Sequence, residues 1–383
     1  MTILSPTAAE GASRTRRAPD VILIVAMMAL MLLGILMVYS ASKEAQEALF
    51  GDDSRLMRRQ IIFAVVGVVS FLAVSFINYR DWQHFSIALY VLTVLALVAV
   101  FFFPESRGTQ RWIPLPSGFL LQPSEFAKVS MIMVMSATLA AAPEEGMRWR
   151  RVTIALVALA VPFLLVVRQP DLGTAMVFGF VSIVVLFAGG TTVRQLLILA
   201  TAAAGGIWAL FRFNILEEYQ LDRLESFANL GSDALGADFN QLNSVTTIGS
   251  GQFFGTGLFQ GALTERSFVP EQETDFIFTA VGEQLGFIGG SLVVVAFGVI
   301  IFRLLRIALT SGDRYGALLA IGVAGLLAFH VFINIGMTIG IAPVTGLPLP
   351  FMSAGGSSLV ATSIALGLAH SVWLNRPLVP GGR

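Results

Sequence analysis

The chain has 383 residues, of which 56% are hydrophobic and 13% charged, with a formal net charge of +0 and no cysteine. Its mean hydropathy is +0.80, and a water-soluble fold of this length could not hide so much apolar surface, since an average soluble domain carries roughly 25% charged residues. Balanced charge gives no support to nucleic acid as a partner, and the absence of cysteine excludes disulfides and thiolate metal sites.

Repeated apolar runs of about 20 residues match the hydrocarbon thickness of a bilayer. They predict an all-α polytopic membrane protein with about ten transmembrane helices. Seven spans lie near 21–39, 60–77, 85–103, 123–141, 152–167, 173–188 and 196–211, and three near 276–301, 317–341 and 357–373. The first run is longer than a signal-peptide core and no small-residue cleavage site follows it, so it is expected to stay in the mature protein. Residues 1–19 are expected to form a disordered cytoplasmic tail, 20–375 the membrane domain, and 376–383 a second cytoplasmic tail.

Arginine placement orients the bundle, because cytoplasmic loops retain Lys and Arg. With Arg14, Arg16 and Arg17 inside, Arg148, Arg150, Arg151, Arg194, Arg303, Arg306, Arg314 and Arg376 also fall inside. The 43–59 loop dissents, carrying Lys43, Arg55, Arg58 and Arg59 on the outer side among four acids. Between the seventh and eighth spans, residues 214–275 hold ten acids against two arginines, a net −8. A loop of that length in a bundle is functional or disordered. Its mixture of glycine turns with aromatic and aliphatic residues predicts a partly ordered extracytoplasmic lobe.

Ions at the membrane boundary are costly unless paired or facing water. With Pro123 at the start of a helix, Glu125 and Lys128 project from one face and can pair. The pair either stabilises a bundle interface or lines a polar cavity in which Lys128 meets an anionic substrate. Asp171 is read as a cap for the helix that follows it or as a partner of Arg168. Arg111 and Trp112 form an interfacial anchor or a phosphate-binding fork. Asp275, after Thr274 as a candidate N-cap, is either a helix-start acid favoured by the dipole or a carboxylate able to take a proton from a substrate hydroxyl. His330 reads as hydrogen-bonded structure, with no second histidine or acid at helical spacing, and the 355–358 Gly-Gly-Ser-Ser run reads as close helix packing. No P-loop or HExxH motif is present.

Five runs then stand out together: GTQRWI (108–113), QPSEFAK (122–128), QPDLGTA (169–175), TDFIF (274–278) and NIGMTIGIAPVTGLPLPFMSAGGSSL (334–359). Their order and spacing over nearly all the membrane core resemble the SEDS family of shape, elongation, division and sporulation proteins. The NIGM and VTGLPLPF stretches look more like its RodA branch than its FtsW branch. Ala354, Gln284 and the 229–238 segment depart from the family pattern, at a tyrosine, a glutamate and a DP pair respectively.

The resemblance implies a peptidoglycan glycosyltransferase of the bacterial cytoplasmic membrane, with both termini cytoplasmic. It polymerises lipid II on the outer face during elongation, with Asp275 at the family's essential aspartate as general base. Arg111 and Lys128 are then candidate diphosphate or cavity cations, Glu125 orients Lys128, and Asp171 is a supporting acid. A divalent cation, Mg or Mn, is a further expectation without a dedicated ligand set in the sequence. Expected partners are membrane lipids and a class B penicillin-binding protein. A flippase for the lipid-linked precursor and a noncatalytic scaffold are the rival readings.

Overall fold

The computed structural model describes residues 17–105, 110–115, 119–141, 148–212 and 239–377. Among them are twelve α-helices: α1 (Val21–Phe50), α2 (Arg55–Phe76), α3 (Tyr79–Ala99), α4 (Pro123–Ala140), α5 (Trp149–Arg168), α6 (Leu172–Ala188), α7 (Val193–Arg212), α8 (Phe239–Ser250), α9 (Ala262–Glu265), α10 (Ile277–Leu309), α11 (Arg314–Thr338) and α12 (Gly356–Leu374). A two-stranded antiparallel hairpin, β1 (Ile113–Pro114) with β2 (Leu120–Leu121), leads directly into α4.

Seven helices (α1, α2, α3, α5, α10, α11 and α12) are long and apolar enough to cross a membrane. The other three predicted spans coincide with α4, α6 and α7, of which α6 and the first part of α7 are shorter apolar helices. The chain is an all-α, multi-pass membrane protein. Lipid offers no hydrophobic drive for helix association, so packing and polar contacts hold such a bundle together. At its centre α4 packs among α3, α5, α6, α11 and α12. That central position accounts for the burial of both Glu125 and Lys128.

Local sequence explains most helix starts. Asp20, Asn78, Asp171 and Asp313 each cap a helix by accepting from a backbone N–H two or three residues on, which satisfies a donor the helix itself cannot. Pro123 occupies the first turn of α4, where its missing N–H costs nothing. Thr274 does not cap α10: the cap position is Phe276, and the Thr274 hydroxyl bonds back to Glu271 instead.

The eighth predicted span is broken rather than continuous. Gly286 in α10 has φ 63° and ψ −163°, a conformation that glycine tolerates and other residues do not. The backbone groups freed there pair with the 252–257 segment: Phe287 N–H donates to the Gln252 carbonyl at 2.9 Å and Ile288 N–H to that of Phe253 at 3.2 Å. In return Thr256 and Gly257 donate to the Glu283 and Gln284 carbonyls at 2.9 and 3.1 Å. Hydropathy cannot show such a break because the flanking residues remain apolar. The neighbouring Glu283 carboxylate is buried and accepts from Leu263 N–H, Thr264 N–H and the Thr264 hydroxyl at 2.9, 2.9 and 2.6 Å. Gln284, where the family pattern has an acid, bonds Ser40 and the Phe259 N–H.

The long loop is partly described. Residues 214–238, and with them part of the expected lobe and the 229–238 departure, lie outside the described residues. The remainder folds onto the bundle, where Gln241 donates to the Met337 and Ala342 carbonyls at 3.1 and 2.9 Å and Ser244 to that of Thr338 at 2.7 Å.

Candidate functional site

A cavity of about 570 Å³ lies at the end of the bundle where α2, α4, α6, α10 and α12 begin. Its wall includes Arg55, Glu125, Thr174, Asp275 and Ser357, each at or next to the first turn of one of those helices. Five positive dipole ends around one space favour an anion there. Arg55, Arg59 and Arg111 supply formal positive charge to the same wall, beside the acids Glu125, Asp171, Glu271, Glu273 and Asp275.

Asp275 is half-buried at the turn before α10, with its N–H donating to the Glu271 carbonyl at 3.1 Å. Its own carbonyl accepts from the Asn334 side chain at 2.7 Å, and the same Asn334 amide donates to the Leu347 carbonyl at 2.7 Å. One side chain of α11 therefore ties the carboxylate-bearing turn to the adjacent 345–348 segment of the cavity wall. Gly346 in that segment has φ 72°, and a methyl group placed on it would stand 3.3 Å from Asp275 Oδ2. A side chain there is strained and crowds the carboxylate.

Arg111 and Asp171 also line the cavity and meet there. The Asp171 carboxylate caps α6 through Thr174 N–H at 3.1 Å and accepts the Thr174 hydroxyl at 2.9 Å. Arg111 lies 3.8 Å from Asp171 Oδ1, donates to the Gln169 carbonyl at 3.2 Å, and also reaches the Pro170 carbonyl. Asp171 is thus a cap whose recorded ion pair is with Arg111 and not with Arg168. Gln122 approaches the same carboxylate at 3.5 Å, and its backbone N–H donates to the Ser357 hydroxyl at 3.0 Å, joining the hairpin to α12.

Glu125 lines the cavity, but Lys128 stands behind it. The ammonium donates to Glu125 Oε1 at 2.8 Å and meets His330 Nε2 at 3.1 Å, with Lys128 and Glu125 only 2% and 3% exposed. The two groups expected to pair do so, with Glu125 on the cavity side and Lys128 behind it. His330 has a charged partner after all, from a different helix.

Arg55 and Arg59 explain part of the dissent from the inside-positive pattern, because they face the cavity. The other two cations of that loop are neutralised, Lys43 by Glu265 at 2.6 Å and Arg58 by Asp52. Neither arginine was singled out as a site residue from sequence, although their violation of the charge rule was the available signal. Among the described residues no group of three His, Asp or Glu could hold a metal ion.

A family model described as FtsW, RodA and SpoVE, cell cycle protein, matches residues 20–376. The chain belongs to this family. The FtsW/RodA/SpoVE relatives include stage V sporulation protein E of Bacillus subtilis, 35% identical over 93% of this chain and 97% of that protein. The peptidoglycan glycosyltransferase MrdB of Escherichia coli is 33% identical over 94% of this chain and 95% of its own length. Among solved structures, a chain of a peptidoglycan synthase complex that coordinates polymerization and crosslinking superposes with a TM-score of 0.77 at 28% identity, covering 94% of this chain and 98% of that one. The rod shape determining protein RodA of Thermus thermophilus superposes with a TM-score of 0.69 at 27% identity, covering 94% and 99%.

Proposed function

We propose that this FtsW/RodA/SpoVE-family protein is a peptidoglycan glycosyltransferase that polymerises lipid II on the outer face of the cytoplasmic membrane, with both of its termini cytoplasmic. The observation that carries the reading is the placement of Asp275 on the wall of a cavity bordered by five helix N-termini and three arginines. Glycosyl transfer from a polyprenyl-diphosphate donor needs these two elements together. A carboxylate takes the proton of the acceptor hydroxyl as its oxygen bonds to the anomeric carbon. The diphosphate oxygen keeps the electron pair of the anomeric C–O bond as it breaks, and fixed positive charge stabilises the anion that leaves.

In this assignment Asp275 is the base, Arg111, Arg55 and Arg59 bear on the diphosphate, and Asp171 holds Arg111 in place. Lys128 acts through Glu125. A Mg-type ion needs only one or two protein carboxylates when substrate phosphates supply the rest of its shell, so a metal, if used, arrives with the substrate and no step above depends on it. A role in elongation is favoured by the NIGM and VTGLPLPF stretches, and a class B penicillin-binding protein is the expected partner. Relatives named FtsW, MrdB and stage V sporulation protein E share similar identity with the chain, so the branch rests on those stretches.

The test is glycan-strand formation from purified lipid II by the protein bound to its cognate penicillin-binding protein, with other glycosyltransferases inactivated. Polymer from wild type and none from an intact Asp275→Asn complex supports the reading. Absence of polymer from a folded wild-type complex moves the assignment to transport or scaffolding.

A further inference from the structure

A second charged cluster lies at the other end of the bundle. Arg303 sits 17 positions beyond the break at Gly286, on the order of 25 Å further along α10 at 1.5 Å per residue. There Asp20 accepts from Arg303 at 2.8 and 2.6 Å, and its N–H donates to His370 Nε2 at 3.1 Å. The Trp373 indole donates to the Ala18 carbonyl at 3.1 Å and carries Arg303 and Arg376 against its ring. Arg17 binds the last turn of α12 through its N–H to the Leu374 carbonyl at 3.2 Å and its guanidinium to the Pro377 carbonyl at 2.6 Å.

Three separate chain segments thus bring arginines together around one tryptophan and one carboxylate. Asp20 is already used, by Arg303 and by its capping bond to Leu23 N–H. Burial and then the Arg17 charge, with further contributions from Arg303 and Arg306, lower the pKa of the Arg376 guanidinium to about 10 against the opposing pull of Asp20. Arg17 Nε is buried and, among the described residues, has no hydrogen-bond partner. A cluster with more guanidinium than carboxylate is stabilised by an added anion.

The surroundings say what kind of anion. Beside the cluster, Val21 and Ile22 on α1 and Phe302, Leu305 and Leu309 on α10 are 61%, 53%, 64%, 44% and 88% exposed. They present an apolar surface that continues from the charged end into the membrane-spanning region. We infer that Arg17, Arg306 and Arg376 form a binding site for the phosphodiester headgroup of an anionic phospholipid in the leaflet opposite the cavity, with its acyl chains along α1 and α10. A guanidinium fork suits phosphate oxygens, and basic pockets at the ends of membrane helices bind such headgroups. Arg303 and Asp20 form the floor of the site.

The experiment titrates the full-length protein in detergent with phosphatidylglycerol, phosphatidylcholine and inorganic phosphate, read by native mass spectrometry. Phosphatidylglycerol binds about tenfold more tightly than phosphatidylcholine, and combined Arg306→Gln and Arg376→Gln substitutions remove most of that preference. The Arg306→Lys and Arg376→Lys pair retains part of it. Excess inorganic phosphate leaves the lipid bound. Equal binding of the two lipids, an unchanged preference in the double glutamine variant, or displacement of lipid by phosphate alone each overturns the proposal, the last in favour of a soluble-anion site. Should the double variant not fold, Arg306→Gln alone gives the same readout, since Arg306 is exposed and outside the Asp20 pair.

Discussion

Lys128 Nζ and His330 Nε2 lie 3.1 Å apart although 202 positions separate them in the chain. An ammonium can only donate, so His330 accepts at Nε2 and presents its Nδ1 proton to the Pro348 carbonyl at 3.3 Å. His330→Leu leaves a buried cation short of an acceptor and costs about 1–3 kcal/mol. His330→Gln, which keeps an acceptor, recovers part of the loss. Thermal unfolding of the purified variants measures both, and equal stability of the leucine variant and wild type would show the contact to be idle.

Removing the cation itself is expected to be worse. Lys128→Met strands the Glu125 carboxylate, which is 3% exposed, at a cost of about 3–5 kcal/mol. The double variant Lys128→Met with Glu125→Gln regains much of this, because no unpaired charge remains. A double-mutant cycle on unfolding free energy tests the pair, and strictly additive effects would refute the coupling.

Arg111 holds two carbonyls and a carboxylate with one planar group. Arg111→Lys keeps the charge but not the fork, so polymerisation from lipid II falls nearly as far as in Arg111→Ala. Near-normal activity in the lysine variant would mean that charge alone matters at this position.

Gly346→Ala places a methyl group 3.3 Å from Asp275 Oδ2 at a φ of 72°. The left-handed conformation alone costs roughly 1–2 kcal/mol. Glycan synthesis should drop by more than the loss of folded protein explains, a comparison made by normalising activity to the folded fraction.

At the end of the bundle away from the cavity, Asp313 is titratable within a defined network. Burial raises its pKa, but hydrogen bonds from Tyr79, Gly316 N–H and Arg80 outweigh it, and the net shift is downward. A carboxylate depressed on folding adds stability that is complete above the ordinary aspartate range near pH 3.9 and is lost as pH falls through the lower folded value. Asp313→Asn should flatten the acid limb of stability against pH. An unchanged acid limb in that variant would remove Asp313 from the acid response.

Hydropathy made the spans legible, and short motifs placed Asp275, Glu125, Asp171 and Arg111 near the outer ends of helices. Arg111 with Asp171, 60 positions apart, and Lys128 with His330 are pairings made by packing between helices, for which a single sequence carries no periodic signal. Glu125 with Lys128 was legible because three residues bring side chains onto one helical face. The inward turn of Arg55 and Arg59 was written only as a breach of the charge rule, and a breach does not say where a side chain points.

The break at Gly286 gives the 252–257 segment mechanical purchase on the helical bundle. Residues 252–257 are stitched to both sides of the break by four backbone hydrogen bonds, and the part of α10 above it begins two residues after Asp275. A load applied to that segment is therefore delivered to a short helical lever whose far end is the turn that holds the carboxylate.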